Sequence, residues 1–144
     1  MFYVIARSQG LFKSVDNGAT WKELPDVMGG NGWDGSTGFY ADPNNGWLYK
    51  SAEVPATIYL SKDGGNKYSA LVTTGVSADS FTINNGILYF EGEGSIYKID
   101  AANNVIKIIS TSQNQASDGD FIVSKSGNIL FKNELSLFLQ YVKP

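Results

Sequence analysis

The chain has 144 residues, a formal net charge of −3, eleven basic residues scattered singly along it, and neither histidine nor cysteine. That balance argues against a nucleic-acid surface, and without cysteine there are no disulfides and no thiolate metal sites. The longest apolar runs, such as Phe2 to Ala6, fall far short of the roughly 20 residues that a membrane-spanning helix needs, and the N-terminus lacks the basic stretch and long apolar core of a secretory signal. The length fits a single domain over residues 1–144, large enough to bury roughly two-thirds of its unfolded surface.

Apolar residues alternate with polar ones in short runs separated by Gly, Asn, Asp and Ser clusters, and nowhere do they hold a helical spacing over three turns. Fourteen strands are predicted, near 2–6, 10–15, 19–24, 37–41, 46–51, 57–62, 67–72, 79–83, 87–91, 95–99, 104–109, 120–124, 129–132 and 136–142. The chain therefore reads as all-β.

The first two units carry nearly the same phrase. Ser14-Val15-Asp16-Asn17-Gly18-Ala19-Thr20-Trp21 and Ser61-Lys62-Asp63-Gly64-Gly65-Asn66-Lys67-Tyr68 begin 47 residues apart. Each follows a strand start, Leu11-Phe12 and Ile58-Tyr59, and that strand recurs as Ile96-Tyr97 and Leu137-Phe138. Leu11, Ile58, Ile96 and Leu137 fall at intervals of 47, 38 and 41 residues, a period that suits one four-stranded unit per repeat. An upstream strand recurs in phase as Trp47-Leu48-Tyr49, Ile87-Leu88-Tyr89 and Ile129-Leu130-Phe131, with Asn45-Gly46, Asn85-Gly86 and Gly127-Asn128 before it. Such pairs supply the positive φ angles of tight hairpins. Repeat units are expected at 1–27, 37–75, 79–113 and 119–144.

The eight-residue phrase resembles the Asp-box of bacterial neuraminidase-type repeats, Ser/Thr-x-Asp-x-Gly-x-x-aromatic. The resemblance implies a β-propeller-like fold of about three and a half four-stranded blades: a small closed four-bladed ring, an open sector, or a propeller completed by oligomerisation, in which two copies of fourteen strands would make seven blades. It assigns Ser14, Asp16, Gly18 and Trp21, and Ser61, Asp63, Gly65 and Tyr68, to turn-building. A short Asp side chain accepts backbone N–H groups within its own turn, Gly takes the left-handed conformation, and the aromatic packs back on the hairpin. The third region, Ile99-Asp100-Ala101-Ala102-Asn103, has its Asp one position early and no Gly, and in the fourth Gln140 stands at the Ser position.

Sialidase chemistry would need three arginines around a glycan carboxylate, and the chain has only Arg7. Without histidine or cysteine the commonest proton shuttle and thiol nucleophile are missing. Two acidic pairs remain: Glu91 and Glu93, expected to be solvated in a hairpin, and Asp118 and Asp120, which could offer oxygen ligands to calcium. Neither outweighs a structural reading, so no catalytic residue, metal or cofactor is expected.

The Gly-rich connection Met28–Gly38 departs most from the repeat, and a loop of that length commonly binds something. Trp33, with Asp34 and Tyr40, is the candidate binding surface; alternatively, Trp33 tucks between blades. Trp21, Trp47, Tyr49, Tyr59 and Tyr89 are assigned to core or strand-face packing. The functional expectation is a non-enzymatic structural or adhesive module, similar in composition to virion accessory proteins of tailed bacteriophages. It would be assembled in the host cytoplasm and bind itself or another virion protein through incomplete terminal blades. A carbohydrate-binding or degenerate glycosidase-type domain is the alternative.

Overall fold

The computed structural model describes residues 1–6, 10–25, 38–110 and 121–131. They form thirteen strands and, among the described residues, no helix: β1 Phe2–Ala6, β2 Gly10–Ser14, β3 Lys22–Leu24, β4 Phe39–Ala41, β5 Leu48–Glu53, β6 Ala56–Ser61, β7 Ser69–Thr73, β8 Ser80–Asn84, β9 Ile87–Gly92, β10 Ser95–Ile99, β11 Val105–Ser110, β12 Phe121–Val123 and β13 Ile129–Phe131. All pair antiparallel with chain neighbours, in four sheets ordered β1-β2-β3, β4-β5-β6-β7, β8-β9-β10-β11 and β12-β13, none of them closed. The expected strand at 136–142 lies outside the described residues.

Three expected strands start too early, each because a side chain captures the residues that precede the ladder. Asp16 Oδ1 accepts the Thr20 N–H at 2.9 Å, so β3 begins at Lys22 and not near residue 19. Asp63 Oδ1 accepts the Lys67 N–H at 3.0 Å, and β7 begins at Ser69. Asn45 Oδ1 accepts the Trp47 N–H at 2.8 Å, and β5 begins at Leu48. Two of the two-residue hairpins turn on paired positive φ angles: 50° and 78° at Asn85-Gly86, and 49° and 66° at Glu93-Gly94.

Strand alternation gives the middle sheets two apolar faces each. Leu11 and Leu24 of the first sheet meet Leu48 of the second. The opposite face of the second sheet, through Tyr49, Ile58 and Leu60, packs on Phe81, Leu88, Phe90 and Tyr97 of the third. The third sheet's other face, through Tyr89 and Ile96, meets Phe121 and Ile129. The sheets thus stack in chain order with a cluster between each pair. Phe90, fully buried, stacks on its cross-strand partner Tyr97 with centroids 4.9 Å apart and planes 9° off parallel. Burying such a ring contributes about 1.5–3 kcal/mol.

Neighbouring sheets also touch through their first strands, β4 with β8 and β8 with β12. Gly38, just before β4, backs onto the Ala78 and Asp79 carbonyls and the Phe81 ring so closely that no side chain would fit. Gly92 is likewise pressed on the Ser77 carbonyl.

Candidate functional site

The two Asp turns are built alike. Ser14, buried at the end of β2, donates its hydroxyl to Asp16 Oδ1 at 2.8 Å and accepts the Gly18 N–H at 2.8 Å. Ser61, at the end of β6, donates to Asp63 Oδ1 at 2.9 Å and accepts from Gly65 N–H at 2.8 Å. Each buried serine thus receives its glycine's N–H and hands its own proton to the carboxylate, which receives others. Asp16 also takes the Thr20 hydroxyl, at 2.5 Å, and its carboxyl is held down at about 2, with Thr20 as the main cause and Ser14 assisting. The Lys67 N–H and the Ser61 hydroxyl hold Asp63 low in the same sense.

A third turn of this kind stands where the sequence pattern is incomplete. Asp100 Oδ1 accepts the Ala102 N–H at 2.9 Å and the Asn104 N–H at 2.8 Å, Oδ2 takes the Asn104 amide at 2.9 Å, and Asn103 takes the positive φ of 62° in place of a glycine. The Asn104 side chain is the main reason its carboxyl is also lowered. Asn tolerates the left-handed region, which is the signal that could have found this turn.

Trp21 and Tyr68, which close the two phrases, part ways. Tyr68 packs against the Leu11–Leu24–Leu48 cluster. Trp21 does return onto its hairpin, its indole N–H donating to the Gly18 carbonyl at 3.0 Å. The residue is 43% exposed, so of the core or strand-face packing expected for it, the core is not where it lies. Glu91 also departs from expectation: it is buried, its Oε1 accepting the Gly94 N–H at 3.0 Å and so closing the β9–β10 hairpin from inside, while Glu93 alone is solvated.

Of the expected binding surface, Trp33 and Asp34 lie outside the described residues, as do Asp118 and Asp120. Tyr40 is half-buried against the core between the second and third sheets. Burial and the nearby Asp42 carboxylate raise its phenol's pKa. It is not a freely presented platform.

A cleft the sequence did not indicate opens instead between the Ser14–Trp21 and Ser61–Tyr68 turns. It encloses about 310 Å³, with Leu24 as its floor, the Trp21 ring as one wall, Lys13 and Lys22 along β2 and β3, and Asn66 on the facing rim. Lys13 Nζ donates to the Gly64 carbonyl at 3.3 Å across the cleft and lies 5.8 Å from the Tyr3 ring centroid. The first and second sheets are thereby joined at one end by this bridge and by the close approach of Gly65 to Leu24.

Comparison with family models, with curated proteins and with solved structures finds no match to this chain.

Proposed function

We propose that the chain is a non-enzymatic β-propeller-type module that works through protein–protein contact, as a structural or decorating component of a phage virion. The observation that carries this reading is apolar surface at both ends of the stack. On the outer face of the first sheet Phe2 is 50% and Val4 45% exposed, and on the outer face of the last Ile122 is 62% exposed. The two inner sheets carry buried apolar clusters on both faces, and side chains of this kind on the outer faces of the end sheets fit a further sheet packed on them.

The propeller-type arrangement is supported by the equivalence of the turns. The Asp16 turn joins β2 to β3, the Asp63 turn β6 to β7 and the Asp100 turn β10 to β11. Aligned on these turns, β4, β8 and β12 are equivalent first strands, and these are the strands that touch from sheet to sheet, as strands lining a common axis would. Among the described residues the first sheet has no counterpart of them, which leaves β1 at its edge.

The non-enzymatic part of the reading is supported by the chemistry of the carboxylates. Asp16, Asp63 and Asp100 are fixed as charged acceptors for their own turns, with lowered pKa values that unfit them to deliver a proton near neutral pH. Charged substitutions at the two ends test the proposal: Val4→Glu and Ile122→Glu should abolish association with a second copy or with the virion neighbour while leaving the melting temperature within a few degrees. Association unaffected by either change would overturn it.

A further inference from the structure

We propose that the cleft between the Asp16 and Asp63 turns binds a carboxylate-bearing sugar ring, a uronate unit of an acidic glycan. Lys13 and Lys22 are direct cross-strand partners in the β2–β3 ladder, on the face that carries the buried pair Leu11 and Leu24. Like charges set opposite one another weaken a sheet, and in a chain of net charge −3 this placement runs against the general balance. A local rule broken with no compensating anion among the described residues is a mark of function. An anionic group in the cleft that both lysines line relieves this repulsion and gains a charge-assisted hydrogen bond from each ammonium group it reaches.

The rest of the cleft specifies more than an anion. Trp21 offers a flat apolar face, and its N–H, tied to the Gly18 carbonyl at 3.0 Å, fixes the ring in place before any ligand arrives. Little side-chain freedom is then lost on binding. Such a face suits the C–H surface of a sugar ring, which a bare inorganic anion does not have. Across the cleft, Asn66 spends its amide N–H on the Asp63 carbonyl at 2.7 Å, which turns its side-chain oxygen to use as an acceptor for a sugar hydroxyl. The volume of about 310 Å³ stands at the small end of ligand sites and suits one or two rings.

The test is a titration of the isotope-labelled protein with galacturonate and glucuronate trimers, a neutral galactose trimer and poly-glutamate, followed by amide and indole N–H shifts. The uronates should move the Trp21 indole signal and the Lys13 and Lys22 amides, with binding that weakens as salt is raised. Lys22→Glu should weaken uronate binding by about tenfold or more and at the same time raise the melting temperature, because it converts a repulsive cross-strand pair into an attractive one. That opposite movement separates a lost site from a damaged fold. Trp21→Phe, which keeps an aromatic ring but loses the N–H tether, should weaken binding less than Trp21→Ala. The proposal is overturned if neither uronate shifts these signals at millimolar concentration, if the neutral trimer binds equally well, if Lys22→Glu binds like the parent, or if poly-glutamate matches the uronates, which would make the cleft an acidic-peptide groove.

Discussion

Gly65, in the turn after β6, lies so close to Leu24 at the end of β3 that a Cβ on it would come within 2.5 Å of the leucine Cδ1. The Asp63 turn therefore does two jobs: it closes its own hairpin, and it seats the second sheet on the first. With φ at +96°, Gly65 also holds a conformation that side chains resist. Gly65→Ala is expected to lose about 2 kcal/mol or more of stability, whereas Gly46→Ala, at a φ of +73° but with open space around it, should lose only the conformational part. Urea denaturation of the pair separates contact from backbone strain.

The buried serines of the phrases are predicted to matter as much as the aspartates. Ser61→Ala leaves the Gly65 N–H without its acceptor in a buried position, at a cost of about 1–3 kcal/mol. Ser14→Ala should behave alike at Gly18. Thermal unfolding of the two variants checks this, and a neutral Ser61→Ala would show that the turn is held by its carboxylate alone.

Acid should loosen the turns in a defined window. The carboxyls of Asp16, Asp63 and Asp100 are lowered in the folded chain, Asp16 to about 2, while an unfolded Asp titrates near about 3.9. A depressed folded value means the stabilisation is present above the unfolded value and is lost as the pH falls through the folded one. Melting temperature should drop between about pH 4 and about pH 2. Asp16→Asn keeps an acceptor but does not titrate, so its difference from the parent should shrink across that window.

One exposed hairpin leaves room for improvement. Glu93 sits at φ 49° in the Glu93-Gly94 turn, a position where Asn is at ease and Glu is not. Glu93→Asn is expected to raise stability by about 0.5–1 kcal/mol, measurable as a higher denaturation midpoint with unchanged slope.

How far the sequence carries depends on which forces are local. Strand alternation and the Ser-x-Asp-x-Gly turns are short-range features, so the strands and their grouping into units of three and four could be read from the chain. The Asp100 turn was only half legible, because Asn103 does the work that the pattern assigns to a glycine. What stayed hidden depends on neighbouring sheets. Lys50, a charged residue on an apparently ordinary strand, is almost wholly buried on the face of β5 that carries Leu48 toward the first sheet. Glu91 looks like a solvated hairpin residue until its own turn folds over it. The cleft beside Trp21 brings together residues from two units 47 positions apart, a juxtaposition that no spacing within either unit announces.

On the proposed reading, the apolar ends of the sheet stack are covered by a second copy or by a partner protein. The mass of the purified chain in solution, followed by light scattering across a concentration series, tests it most directly. A discrete oligomer that dissociates on dilution, or aggregation relieved by Val4→Glu or Ile122→Glu, is the predicted result. A chain that stays monomeric at every concentration, both alone and mixed with virion particles, with Phe2, Val4 and Ile122 open to solvent, would contradict it.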